Sequence, residues 1–137
     1  MNIGDVIHFH DFGFDDGGHA NKLLVVISSP SEKSIVMLIT TSKGNLKQHG
    51  CQPAAKKYFI PQGVRLGFPK DTWFDLARNA IVRDTVKIMA VLQSGGAGIV
   101  NTLPTQVVSE IKNCLTKYAL ESLTREACEL LGVKPKW

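Results

Sequence analysis

The spacing of apolar residues changes character along this chain, and each change predicts an element. Val6 to His10 alternates, with Ile7 and Phe9 on one side and His8 and His10 on the other, the pattern of a first strand. Phe12 to Asn21 holds Gly13, Asp15, Asp16, Gly17 and Gly18 and predicts a mobile loop of hairpin type. Leu23–Ile27 is a continuous apolar run, hence a second, central strand. Ile35–Ile39 is another and fits a strand buried on both faces. Ser29-Pro30-Ser31 supplies the turn between them, completing an antiparallel meander.

Lys43 to Gln52 is polar and turn-rich, and Lys57–Ile60 is a short strand ended by Pro61. Residues 63–70 carry two glycines and Pro69 and predict a loop. Trp73–Leu76 and Ala80–Val82 are short strand candidates, while Val86–Leu92 fits a last strand or a turn of helix by period. Gln93–Gly98 is glycine-rich and predicts a loop without the spacing of a phosphate-cradling fingerprint. Behind Pro104 the spacing turns helical through Val107, Val108, Ile111, Cys114, Leu115 and Tyr118. That places Cys114 in a core rather than in chemistry. A second helix is expected from about Ser122, with Leu123, Ala127, Leu130 and Leu131 as its stripe and Gly132 as its end. Many short strands followed by terminal helices predict a mainly β fold, a small antiparallel barrel with helical cover.

A length of 137 residues suits one core, and 44% hydrophobic residues argue against global disorder. The apolar runs are too short to span a membrane, and Met1-Asn2-Ile3-Gly4-Asp5 does not read as a signal peptide. Cys51, Cys114 and Cys128 are odd in number and widely spaced, so neither a disulfide framework nor a zinc site follows, and a reducing cytoplasm is the default. The net charge of +4 is unevenly spread. Residues 1–32 set Lys22 against Asp5, Asp11, Asp15, Asp16 and Glu32, whereas residues 33–87 hold ten Lys or Arg against Asp71, Asp75 and Asp84. That basic segment is interleaved with Tyr58, Phe59, Phe68, Trp73 and Phe74. It reads either as a phosphate-backbone surface with stacking rings or as a solvated face over core aromatics.

The chemistry concentrates where the third strand surfaces. Thr40, Thr41 and Ser42 put three hydroxyls beside Lys43, with Gly44 to turn the chain. Hydroxyl donors and a cation at a strand end suit a phosphate or a developing oxyanion, and a plain polar turn has the same composition. His19, three residues before Lys22, is a general-base candidate. His8 and His10 share a strand face but lack a third ligand at metal spacing, so no metal site is expected. His49 lies in a basic loop, and Asp75 with Arg78 reads as an acid–base pair or a surface ion pair.

Gly4-Asp5-Val6-Ile7, the Phe12-Gly13-Phe14 opening of the loop, Lys22-Leu23-Leu24-Val25-Val26-Ile27-Ser28, Ile39-Thr40-Thr41-Ser42-Lys43-Gly44 and Lys70-Asp71-Thr72-Trp73 together resemble the MazF/PemK/Kid toxins of toxin–antitoxin systems. The likeness runs in order over roughly residues 3–118. It implies an SH3-like β-barrel of the CcdB/MazF kind over residues 1–119, with one family helix. Residues 120–137 are then an additional helix and tail. It further implies a cytoplasmic homodimer that cleaves single-stranded RNA without a metal or other cofactor and is neutralised by a cognate antitoxin protein.

By position Thr40 matches the family's catalytic threonine. Lys22 stands where the family has arginine, giving charge without a bidentate fork. Lys22 is then a functional replacement, or the cation comes from elsewhere such as Arg78, or catalysis is lost. With Lys22, Thr40 and His19 as catalytic candidates, Thr41, Ser42, Lys43, His49, Asp75 and Arg78 are the expected substrate contacts. The alternative on the same fold is a non-catalytic binder of RNA or of a protein target. Gyrase-poisoning relatives resembling CcdB use a C-terminal helix ending near a tryptophan, as Trp137 ends this chain.

Overall fold

Strand β3 (Ser34–Thr41) explains most of the architecture, because its apolar run leaves no face for water. In the computed structural model, which describes residues 1–14, 17–29, 33–63, 68–78 and 80–135, its side chains alternate between two separate cores. Val36 and Leu38 enter one, while Ile35, Met37 and Ile39 enter the other. A strand packed on both faces must be covered on both sides, and here helices supply the cover.

Along the chain, β1 (Asp5–Gly13), β2 (His19–Val26) and β3 are followed by β4 (Gly50–Gln52), β5 (Lys57–Ile60), β6 (Thr72–Asp75) and β7 (Ala80–Asp84). Helix α1 (Thr85–Ser94), strand β8 (Ala97–Thr102), helix α2 (Thr105–Tyr118), a 3₁₀ turn (Leu120–Ser122) and helix α3 (Arg125–Leu131) complete the described residues. All strand pairs are antiparallel, in the order β4-β5-β6-β3-β2-β1-β8. β7 shares one edge of β3 with β6, pairing at Ser34–Leu38 while β6 takes Thr40 and Thr41. The sheet therefore splits along β3, and β4 and β8 end the path without pairing with each other. It is an open, mainly β structure with helices toward the C-terminus, and it does not close into the barrel that the strand pattern suggests.

The larger core lies under α2 and α3. Val108, Ile111, Cys114 and Leu115 from α2 join Leu123, Ala127, Cys128 and Leu131 against Val25, Leu38, Tyr58 and Phe74. The terminal helix is thus packed on the same core as the strands, and Ser34 Oγ donates to Glu126 Oε1 at 3.1 Å. The second core collects Ile7, Phe9, Leu24, Val26 and Met37 beneath Ile88 of α1.

Several elements differ from the sequence expectation for identifiable reasons. Val86–Leu92 is helix, started by Asp84, whose carboxylate accepts from Val86 N and Lys87 N. The expected loop at Gln93–Gly98 shrinks to Gly95-Gly96, because α1 runs to Ser94 and Ala97 already pairs with Phe9. Likewise β1 and β2 extend to Gly13 and His19, so the first loop is shorter than expected, with Asp15 and Asp16 outside the described residues. The turn at Pro30-Ser31 also lies outside them. The last helix starts at Arg125, capped by the Thr124 hydroxyl on Ala127 N, rather than near Ser122.

Cys51 and Cys114 form a disulfide joining β4 to α2, with Cα atoms 5.8 Å apart, while Cys128 is free and buried. Burial of Cys114 follows the helical spacing; its bond to Cys51 corrects the expectation that no disulfide follows. Such a bond is uncommon in a reducing cytoplasm. No helix among the described residues is long and apolar enough to cross a membrane.

Candidate functional site

Antiparallel pairing of β2 with β3 brings Lys22 to the strand end occupied by the hydroxyls. Leu24 faces Ile39 in the ladder, and one step further the Thr40 Oγ1 hydroxyl donates to Leu23 O at 2.7 Å. Lys22 Nζ donates to Thr40 O at 3.4 Å, so its ammonium sits over the end of β3. Thr41 Oγ1 accepts from Lys43 N at 3.1 Å, a short turn bond that leaves its O–H proton to point elsewhere.

These groups border a groove of about 510 Å³, within the range of small-molecule sites. Lys22, Thr40, Thr41 and Ser42 form one side, and Lys70 and Thr72 another. His8 of β1 and Asn101 of β8 add polar groups, while Val6, Leu23, Phe68, Pro69 and Val100 supply an apolar wall. Two ammonium groups line the groove, and among the described residues no carboxylate does. The arrangement suits an anionic ligand with an attached flat or apolar part. His8 is half-buried, its ring edge-on to His10 with centroids 4.6 Å apart.

The rim is held by the segment after Ser42. Gln52 Nε2 donates to Leu46 O at 2.8 Å and to Gln48 O at 3.0 Å, and Trp73 Nε1 donates to the same Leu46 O at 3.0 Å. Gly44 lies against the Trp73 ring so closely that a Cβ there would be 2.4 Å from it. Glycine is needed here for that close approach rather than for a turn. Lys47 Nζ reaches Asp71 Oδ2 at 3.1 Å; the Gln62 N–H, then Lys47, hold the Asp71 carboxyl below the usual carboxylate range.

Four of the expected residues, Lys22, Thr40, Thr41 and Ser42, come together; the others do not line the groove. His19 is exposed at the start of β2, with Nδ1 3.6 Å from Asp11 Oδ1. Lys43 and His49 are exposed on the segment leading to β4. Asp75 Oδ1 accepts from Ala77 N at 3.3 Å, which makes it a turn residue. Arg78 meets it only through its backbone N–H, donating to Asp75 O at 3.3 Å, so the described residues contain no Asp75–Arg78 ion pair. Of the two readings open for Tyr58, Phe59, Phe68, Trp73 and Phe74, stacking rings or core aromatics, their burial favours the second, because all five are at most 4% exposed.

Sequence reasoning passed over His8, Lys70 and Asn101 as groove residues. Only the alternation that put His8 opposite the Ile7–Phe9 face hinted at one of them. Gly4 and Asp5, which carry part of the family likeness, are structural. Gly4 adopts φ 91° with Leu103 O where a Cβ would sit, and Asp5 accepts from Asn2 N and Thr102 Oγ1. The fold and groove define a small, mainly β protein with a basic cleft that no carboxylate lines among the described residues. No protein-family model matches this chain, and no curated protein matches it.

Proposed function

We propose that this chain is a metal-independent endoribonuclease acting on single-stranded RNA, built like the MazF/PemK/Kid toxins on an open form of their SH3-like sheet. One observation carries the proposal: Lys22, Lys70, Thr41, Ser42 and His8 converge on one groove free of carboxylates among the described residues. In that reading the two ammoniums hold the scissile phosphate, and Thr41 and Ser42 donate to its non-bridging oxygens. His8 accepts the ribose 2′-OH proton as the 2′-oxygen attacks phosphorus. The bond to the 5′-oxygen then breaks, and Lys22 gives that oxygen a proton. Lys22 lacks the fork of the family arginine, and Lys70 supplies the second point of charge. A cognate antitoxin, a homodimer and a cytoplasmic setting belong to the same proposal.

A non-catalytic binder on this scaffold is favoured by one feature. The Thr40 hydroxyl proton goes to Leu23 O, so Thr40 is not poised to donate to a phosphate. The comparison with a gyrase poison rested on Trp137, which lies outside the described residues. Assaying wild type, Lys22→Met, Lys70→Met and His8→Gln against a single-stranded RNA panel separates the two. Catalysis predicts that His8→Gln keeps RNA affinity and loses cleavage, while both lysine variants lose affinity. Wild-type binding without cleavage selects the binder.

A further inference from the structure

We propose that the Cys51–Cys114 disulfide is a reducible clamp that sets the order of the groove's rim. The proposal concerns regulation of the site described above and, for its effect on RNA, rests on the proposed function. Strand β4 is three residues long, lies at the end of the sheet, and among the described residues pairs only with β5. Such a strand is weakly held by its ladder alone. Its second tether is the disulfide to α2.

The next residue after Cys51 is Gln52, and its side-chain amide is buried and gripped to Leu46 O and Gln48 O. Those carbonyls belong to the segment that starts at Ser42 on the groove. The path from sulfur to groove is therefore short and covalent for most of its length: disulfide, β4, Gln52, residues 42–50, then Thr41 and Ser42. Gln52 Oε1 finds no partner among the described residues, so its amide is fixed from one side only.

The bond is also placed to be reached. Cys51 is half-buried and Cys114 is 2% exposed, and both line a depression of about 300 Å³ with Pro53, Asn113, Lys117 and Tyr118. A dithiol reductant's thiolate attacks Cys51 Sγ, the S–S bond breaks, and Cys114 leaves as a thiolate that takes a proton from water. The second reductant thiol loses its proton and attacks the mixed disulfide, expelling the Cys51 thiolate, which is protonated in turn. Two electrons pass to the cysteine pair, and the reductant ends as its own disulfide. Lys117, one turn beyond Cys114, and Glu110, one turn before it, border the same depression; Lys117 Nζ lies 5.4 Å from the Tyr118 ring centroid, and Glu110 Oε2 accepts from the Tyr58 hydroxyl.

The test uses the full chain, oxidised or reduced with a dithiol, with thiols counted by mass after alkylation. Amide exchange is followed by residue, and binding of a 2′-deoxy single-stranded oligonucleotide is followed in parallel. The clamp predicts that reduction speeds exchange at residues 43–52 at least tenfold with little dependence on denaturant, leaves β2 and β3 exchanging only through global unfolding, and weakens oligonucleotide binding severalfold. Gln52→Ala should produce the same local change with the disulfide intact, and reduction should then add little. Unchanged exchange at 43–52 after verified reduction overturns the clamp. So does exchange at 43–52 that climbs with denaturant as steeply as in β2 and β3, which marks a general staple, or three free thiols in protein prepared without reductant. An oxidised protein that binds no nucleic acid defeats the proposed function, yet the exchange result still decides the clamp.

Discussion

Removing the Cys51–Cys114 bond should lower the stability of the whole chain by a calculable amount. The bond spans 63 residues. Opening a loop of that size returns about 14 cal/mol/K of chain entropy to the denatured state, or about 4 kcal/mol at 25 °C. With about 2.1 cal/mol/K of unfolding entropy per residue over 137 residues, that loss lowers Tm by about 14 °C. A domain of ordinary stability survives it, so the reduced protein should remain folded at room temperature. The assay is guanidinium and thermal unfolding of oxidised protein, reduced protein and the Cys51→Ala/Cys114→Ala pair. The m-value should rise slightly on reduction, because the denatured chain opens further. A Tm shift below about 3 °C with reduction confirmed by mass would refute the loop-entropy reasoning.

Gly44→Ala should cost about 1–3 kcal/mol, because the new methyl meets a Trp73 ring that is 2% exposed and pinned through Nε1; a Tm equal to wild type contradicts this. Tyr58 donates to Glu110 Oε2 at 2.7 Å, and burial, then that bond, raises its phenol above the usual tyrosine range. A raised folded-state pKa gives stability that is full below the unfolded value of about 10 and lost as pH climbs past it. Wild type should therefore lose up to about 1.4 kcal/mol per pH unit above that point relative to Tyr58→Phe. A gap between the two that does not change from pH 8 to pH 11 would count against the assignment.

How far the chain could be read in advance depended on where each element draws its stability. β3 was legible because an uninterrupted apolar run has few other homes, and α2 because Val108, Ile111 and Leu115 repeat at helical spacing. β4 and β8 were not. Both end the sheet, and Gly50 and Gly98 dilute a pattern that only pairing with β5 and β1 makes extended. α1 was ambiguous because Val86–Leu92 is apolar at nearly every position, and the Asp84 cap decided it. The pairing of Cys51 with Cys114 needed β4 to be placed beside α2, which spacing alone does not give.

The candidate site divides in the same way. Lys22 and Thr40–Ser42 come from neighbouring antiparallel strands, so a two-strand pattern suffices to join them. His8, Lys70 and Asn101 arrive from β1, the segment before β6, and β8, and only the assembled sheet brings them in. His19 failed as a groove residue because β2 extends to include it, carrying its ring toward Asp11.

The most direct measurement of the central proposal is the fate of one defined single-stranded RNA incubated with the full chain in the presence of a chelator. A matched oligonucleotide carrying a 2′-deoxy residue at the cleavage position serves as its partner. The account predicts cleavage of the RNA to 2′,3′-cyclic phosphate and 5′-hydroxyl ends, and an intact deoxy strand. No cleavage across a sequence-complete panel, or products ending in 5′-phosphate, would contradict it.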